Sequence, residues 1–103
     1  MLLKKIIEGI ESVNGTKISI LNLESKKNFL CDYFVICNGN SNNQVFAIYQ
    51  SIKKHVIKNF NKKPFHIEGL KNKEWILVDY ISIIVHVFQE EKRLYYDIDR
   101  IWK

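Results

Sequence analysis

Apolar residues recur at helical spacing in two segments of the chain. In the first segment they occupy positions 3, 6, 7, 10 and 13, and Asn14-Gly15 follows as a stop signal. In the second segment, Ser41 with Gln44 three residues later forms a capping box, which predicts a helix start. The predicted buried face of this second helix consists of Val45, Ile48, Tyr49, Ile52 and Val56. The helix is expected to end between residues 59 and 63, because Pro64 prevents its return.

Five further segments have the short apolar runs or the alternation that are typical of strands. They cover residues 17–23, 33–37, 65–68, 75–79 and 83–88. The run at 33–37 is apolar throughout, which indicates a strand covered on both faces. A final short helix is predicted from the spacing of Leu94, Ile98, Ile101 and Trp102.

The element order α-β-β-α-β-β-β-α predicts an α/β fold, with a single-layer mixed β-sheet flanked by helices. The strand–helix–strand unit in the middle of the chain predicts a right-handed crossover and a parallel pair. The strands at 75–79 and 83–88 are close enough for a hairpin, which makes the sheet mixed. Residues 1–103 are expected to form one domain, since the length fits one.

The chain has a formal net charge of +5, and nearly all its basic residues are lysines. This charge permits an anionic partner without identifying one, and the codon bias of an AT-rich genome would produce the same composition. A cluster of lysines could contact phosphate, but it lacks interleaved aromatic residues and a recognised nucleic-acid motif, so a solvated helix face is predicted. An RNA-binding assembly factor that uses this lysine face is kept as an alternative. The cluster consists of Lys53, Lys54, Lys58, Lys62 and Lys63. No apolar run approaches the ~20 residues of a membrane span, so a cytoplasmic protein without a membrane partner is expected.

The loop at 39–44, between a strand and a helix, is the segment most similar to a phosphate-binding loop. It lacks the Gly-Lys-Ser/Thr of a Walker loop, but it resembles the Gly-Ser loop of nucleotidyltransferases. Those enzymes also need two carboxylates on a following strand to hold metal ions. Asp97 and Asp99 have suitable spacing but lie in the predicted final helix, so an ordinary capped helix is favoured. No catalytic residue, cofactor or metal is expected, and a cryptic nucleotidyltransferase is kept as an alternative. Cys37 is interpreted as a core residue, and Cys31 as a loop residue.

Three kinds of polar or aromatic residue are candidates for a binding surface. His86 lies within an apolar strand without a catalytic partner motif, so structural or interface use is favoured. Asp79 closes an apolar strand, as a turn-stabilising carboxylate does. Large amphipathic rings, which are enriched at protein interfaces, occur at Trp75, Tyr80, Tyr95, Tyr96 and Trp102.

Four segments in order resemble the ribosomal silencing factor (RsfS/Iojap) family. Residues 32–41 resemble its Asp-Tyr-Phe-Val-Ile-x-x-Gly-Thr-Ser segment, and residues 68–80 resemble its Glu-Gly…Trp-x-Leu-x-Asp-Tyr segment. Residues 85–88 match its Val-His-Val-Phe, and residues 91–102 resemble its Glu-x-Arg-x-x-Tyr…Leu-Trp tail. The resemblance departs at Asn40, which replaces Thr, and at residues 42–44, where Asn-Asn-Gln replaces Ser/Asn-Arg-His.

This resemblance implies a fold related to nucleotidyltransferases but without their catalytic carboxylates. It also implies binding to the large ribosomal subunit through large-subunit ribosomal protein number fourteen, at the face that meets the small subunit. Such binding blocks subunit joining and represses translation when nutrients are scarce. A role in large-subunit assembly is the alternative, because organelle relatives have it. A peripheral contact with ribosomal RNA and a homodimer are further expectations.

The predicted contact patch consists of Trp75 and Tyr80, with Asp79, Glu68 and His86. Trp75 directly follows a polar stretch, so we expect it to be partly exposed and to anchor the partner. Tyr80 follows Trp75 by five positions, so strict alternation places the two side chains on opposite faces of the sheet. They share a surface only if the turn after the strand redirects Tyr80. The two acidic residues would form a rim for a basic partner. Trp75→Ala is therefore expected to keep most of its melting temperature and to lose binding.

Overall fold

The structure is a computed structural model and describes residues 1–26 and 31–98. Its helices are α1 (Leu2–Ser12), α2 (Asn42–Phe60) and α3 (Glu90–Tyr96). Its strands are β1 (Thr16–Asn22), β2 (Tyr33–Gly39), β3 (His66–Glu68), β4 (Trp75–Asp79) and β5 (Ile83–Gln89). This order and the mixed α/β architecture confirm the sequence prediction.

The five strands form one sheet in the order β1-β2-β5-β4-β3. Among neighbouring strands in the described residues, β2 and β5 pair in parallel and the other three pairs are antiparallel. The two strands that flank α2, namely β2 and β3, run parallel as predicted, but they do not pair directly, because β5 and β4 lie between them. The physical reason is burial: β5 is a seven-residue strand with a nearly continuous apolar run, and such a strand takes a central place. The three-residue β3 lies at the edge.

Helices α1 and α2 cover one face of the sheet and enclose the main core. All five apolar residues predicted for the buried face of α2 are buried. The two helices approach closely at Gly9, where an added Cβ would lie 2.9 Å from the Cα of Ile52. A larger residue at this position would push α1 away from α2.

The predicted capped helix start at residues 39–44 is confirmed. The Ser41 hydroxyl oxygen accepts a hydrogen bond from the Gln44 backbone N–H at 3.1 Å. The Gln44 side chain accepts one from the Asn40 N–H at 2.6 Å and donates another to the Val13 carbonyl at 3.1 Å. Gln44 thus fastens the β2–α2 connection to the end of α1.

The last helix begins earlier than predicted, directly after β5. The Gln89 side chain accepts a hydrogen bond from the Glu91 N–H at 3.0 Å and caps the helix. Glu90 and Glu91 lie in the first turn, where carboxylates interact favourably with the helix dipole. Ile98 is buried after the helix end, whereas Ile101, Trp102 and Asp99 lie outside the described residues.

Candidate partner-binding surface

The face of the sheet that points away from α1 and α2 carries most of the predicted contact residues. Alternate residues of β4 and β5, such as Ile76 and Val85, point into the helix-covered core. The residues between them therefore point to the opposite side. We call this side the outer sheet face, and in strands β3 to β5 it includes Glu68, Trp75, Leu77, Asp79 and His86.

The strand register places these residues side by side. Leu77 of β4 lies between Glu68 of β3 and His86 of β5. Trp75 lies opposite Phe88 on β5. Cross-strand neighbours of this kind have Cβ atoms about 4.5–5.5 Å apart, so they form one continuous surface.

Trp75 is partly buried and held from three sides. Its indole ring packs against Phe88 and Tyr96, each with ring centroids 4.8 Å away. Its Nε1–H donates a hydrogen bond to Nδ1 of His86 at 3.1 Å. The ring therefore contributes to folding as well as to the surface. For this reason Trp75→Ala is expected to lower the melting temperature, contrary to the expectation from the sequence.

The side chain of His86 points toward the outer sheet face but is buried there beneath its neighbours. Its side chain is only 3% exposed, so a direct partner contact by His86 is excluded in this conformation. The ring packs edge-on against Phe34 at 4.8 Å between centroids. His86 has a structural use, because its Nδ1 accepts the hydrogen bond that orients Trp75.

Tyr80 lies on the wrong side of the sheet for the predicted patch. It is 1% exposed and packs in the main core with Ile76 and Val78. The turn does not redirect it, and the alternation of β4 continues through it. Burial is the main cause that raises the pKa of its hydroxyl, and the charge of Tyr49 adds to this effect. The hydroxyl has no hydrogen-bond partner among the described residues.

Asp79 stabilises the turn between β4 and β5, as predicted. Its Oδ1 accepts a hydrogen bond from the Ile81 N–H at 2.7 Å. The Ser82 N–H donates to the Tyr80 carbonyl at 2.9 Å, and Ile81 between them has φ of 73°. This geometry is that of a γ-turn with positive φ, which is rare and strained for a β-branched residue. Asp79 is partly exposed and remains accessible from the outer sheet face.

Glu68 is the most exposed of the predicted contact residues. Its carboxylate lies 3.2 Å from Nε2 of His66 on the same edge strand. Together with Asp79, Glu68 gives an acidic margin to the outer sheet face around the apolar side chain of Leu77. Such a margin favours a basic partner.

Leu77 is the surface residue that the sequence interpretation missed. The alternation Trp75–Leu77–Asp79 within one strand contains the signal, because residues two apart share a face. Helix α3 extends the apolar area further, since Tyr96 contacts Trp75 and the neighbouring Leu94 and Tyr95 are exposed. The outer sheet face thus combines an aromatic centre with an acidic edge.

The remaining candidates for chemistry form no assembled site in residues 1–26 and 31–98. No group of three or more His, Cys, Asp or Glu side chains in this part of the chain could hold a metal ion. Cys37 is buried as predicted, and burial raises the pKa of its thiol to about 12. Cys31 is buried as well. None of the helices in the described chain is long and apolar enough to span a bilayer.

Comparison with known proteins gives a consistent result over the whole sequence. The family model described as "Ribosomal silencing factor during starvation" matches residues 1–103. A ribosomal silencing factor of Halalkalibacterium halodurans is 31% identical over 98% of this chain and 85% of its own length. A crystal structure of a Chromobacterium violaceum protein superposes with a TM-score of 0.91 at 31% identity, covering 98% of this chain and 82% of that one. A mouse protein named for mitochondrial assembly of the ribosomal large subunit is 24% identical over 94% of this chain and 43% of its own length.

Proposed function

Because the chain belongs to the ribosomal silencing factor family, we propose that it binds the large ribosomal subunit and blocks its association with the small subunit. The proposed contact is large-subunit ribosomal protein number fourteen, at the face where the subunits meet. Occupation of that face would repress translation in the cytoplasm. The role is one of binding, without nucleotidyl transfer or another catalysed reaction.

The outer sheet face is the observation that supports this proposal. It offers a partly exposed Trp75, held in one orientation by His86 and Tyr96, next to the apolar Leu77. A pre-oriented aromatic anchor loses little conformational entropy on binding. The acidic margin of Glu68 and Asp79 complements the basic character of ribosomal proteins.

Sedimentation with separated ribosomal subunits tests the proposal. We expect the protein to travel with large subunits and to lower the yield of joined ribosomes when small subunits are added. Sedimentation with small subunits alone, or with neither subunit, would refute it.

Two variants test the outer sheet face itself. Leu77→Ala shortens the apolar side chain between Glu68 and His86, and Glu68→Lys reverses a charge at the edge. Glu68→Lys is expected to weaken large-subunit binding about tenfold or more, since a like charge would then face a basic partner. Glu11→Lys makes the same charge change on the exposed side of α1 and serves as the matched control. Equal losses from Glu68→Lys and Glu11→Lys would show that overall charge, and not this face, determines binding.

A role in large-subunit assembly is the second candidate, favoured by the name of the mouse relative. The two roles predict different subunit profiles in cells that lack the protein. Loss of an assembly factor lowers the amount of mature large subunits. Loss of a silencing factor leaves that amount unchanged and increases joined ribosomes under starvation.

The expected absence of catalysis and the proposed homodimer have separate tests. Titration calorimetry with ATP and magnesium is expected to show no binding, because Ser41 serves as a helix cap. Micromolar, magnesium-dependent binding would favour the nucleotidyltransferase alternative. Equilibrium sedimentation of the protein alone, at several concentrations, measures whether it forms a dimer.

A further inference from the structure

The end of α2 and the loop after it form a second surface, which is basic, whereas the outer sheet face has an acidic margin. Between Asp32 and Glu68 the chain has no acidic residue. We call residues 53–65 the basic–aromatic segment. It contains the lysines Lys53, Lys54, Lys58, Lys62 and Lys63.

These lysines form no ion pairs in the described part of the chain, and Glu8, which lines one groove together with Lys54 and Lys58, pairs instead with Lys5. In residues 1–26 and 31–98, the ion pairs of lysine join Lys5 to Glu8 and Lys92 to Glu74, and none involves a lysine of the basic–aromatic segment. Lys53 lies over the Tyr49 ring, 5.3 Å from its centroid. The others are exposed, so their charges add to one positive field.

Two aromatic rings lie among these charges, contrary to the sequence interpretation that the lysine cluster lacks interleaved aromatic residues. Phe65 is 74% exposed and Phe60 is 41% exposed. Ile57, one turn before Phe60, is also exposed. On α2 the i, i+3, i+4 spacing places Lys54, Ile57 and Lys58 on the same face. From residue 58 to residue 65, lysines and exposed rings alternate along the chain.

The backbone holds this arrangement at both ends. Asn61 adopts a left-handed conformation after α2 and its N–H donates to the Ile57 carbonyl at 2.8 Å. The Phe65 N–H donates to the Asp79 carbonyl at 2.7 Å, which attaches the far end of the loop to the sheet. The two rings are thus presented by an anchored connection rather than by a free tail.

We propose that the basic–aromatic segment binds unpaired RNA, with its lysines on the phosphates and Phe60 and Phe65 stacked on bases. Lysines along a groove combined with exposed rings are the features by which proteins bind single strands without sequence preference. A duplex offers phosphates but few free base faces, so the rings favour a loop or a single strand. Lys54 and Lys58 line both a groove of about 820 Å³ beside the end of α1 and a second one of about 320 Å³, which Lys5 and Glu8 also line. The identity of this RNA as ribosomal RNA rests on the proposed function.

Fluorescence anisotropy with a labelled oligouridylate of about 12 nucleotides, and with a duplex RNA of equal length, tests the inference. The wild-type protein is expected to bind the single strand more tightly than the duplex. Phe65→Ala is expected to weaken single-strand binding about five- to tenfold, because stacking of one base is removed. The matched aromatic control is Tyr95→Ala, which removes an exposed ring beside the outer sheet face and is expected to leave the affinity for the oligouridylate alone unchanged.

The electrostatic contribution has its own pair of variants. Lys58→Glu should weaken binding and reduce the dependence of log affinity on log salt by about 0.7 for each phosphate that is no longer neutralised. Lys26→Glu makes the same charge change in the turn after β1, at the opposite edge of the sheet. Equal effects of these two charge variants would overturn the inference. So would equal affinity for duplex and single strand, or tighter binding to anionic lipid vesicles at the same salt.

Sedimentation of the same variants with large subunits separates this inference from the proposed function. In one outcome, the wild type travels with large subunits, and both Lys58→Glu and Phe65→Ala bind them as well as the wild type does. The RNA contact is then wrong and the proposed function stands. If the wild type binds oligouridylate through this segment but does not travel with large subunits, the proposed function is wrong and the RNA surface stands.

Discussion

The hydrogen bond from Trp75 to His86 gives the sharpest test of how the outer sheet face is built. Trp75→Phe keeps an aromatic ring against Phe88 and Tyr96 but removes the Nε1–H that donates to His86 at 3.1 Å. A neutral hydrogen bond contributes about 0.5–1.5 kcal/mol, and an acceptor left buried without its donor costs about 1–3 kcal/mol. Since His86 is buried, we expect Trp75→Phe to lower the free energy of unfolding by about 1.5–3 kcal/mol.

A double-mutant cycle isolates this interaction from the packing of the rings. His86→Phe retains a ring next to Phe34 and removes the Nδ1 acceptor. In the double variant no donor or acceptor of this pair remains, so its loss of stability should be smaller than the sum of the single losses by about 1–2 kcal/mol. Changes that add within about 0.5 kcal/mol would refute the proposed coupling.

Urea denaturation followed by circular dichroism measures all four free energies of unfolding. A loss of 1 kcal/mol corresponds to about 4–8 °C in melting temperature for a domain of this size, so thermal melting provides a second measurement. Large-subunit binding by His86→Phe, measured well below its melting temperature, tests orientation separately. We expect weaker binding although His86 itself is buried, because the Trp75 ring would lose its hydrogen-bonded orientation.

Three further predictions concern the core and the β4–β5 turn. Tyr80→Phe should leave large-subunit binding unchanged. It should raise the free energy of unfolding by about 1 kcal/mol, because the buried hydroxyl has no hydrogen-bond partner among the described residues. A loss of stability in urea denaturation would contradict this. Ile81→Gly should stabilise the protein by about 0.5–1 kcal/mol, since relief of the positive φ exceeds the entropic cost of glycine; a lower urea midpoint would show that the turn is unstrained. The thiol of Cys37 has its pKa raised by burial from 9.0 to about 12, so its contribution to stability is complete below pH 9 and is lost as the pH rises toward 12. We expect about 1–2 kcal/mol less stability at pH 10 than at pH 8, and Cys37→Ala should show a smaller loss.

Local patterns predicted the elements well because the information lies within a few residues. The Ser41–Gln44 cap and the period of the following apolar residues define the start of α2 and its buried face. Strand β4 has the predicted bounds Trp75–Asp79. Its alternation also contained the position of Tyr80, which strict periodicity places in the core.

Long-range relationships could not be predicted in the same way. The pairing of β2 with β5 depends on which strand gains most from central burial, and this is a property of the whole sheet. The hydrogen bond between Trp75 and His86 depends on the register of two strands, which their sequences do not specify individually. The exposure of Phe60 and Phe65 could not be predicted from the sequence, because it depends on where the end of α2 lies relative to the edge of the sheet.

The parallel pairing of β2 with β5 also constrains how the chain acquires its structure during synthesis. Tyr33 lies opposite Ile83, and Gly39 lies opposite Gln89, so the two central strands are separated along the chain by α2, β3 and β4. Contacts between segments so distant in sequence form slowly, since a long loop must close before they contribute. While the nascent chain ends before β5, β2 has its antiparallel neighbour β1 but lacks the partner on its other edge. The nascent chain therefore completes its sheet only when β5 has emerged from the ribosome.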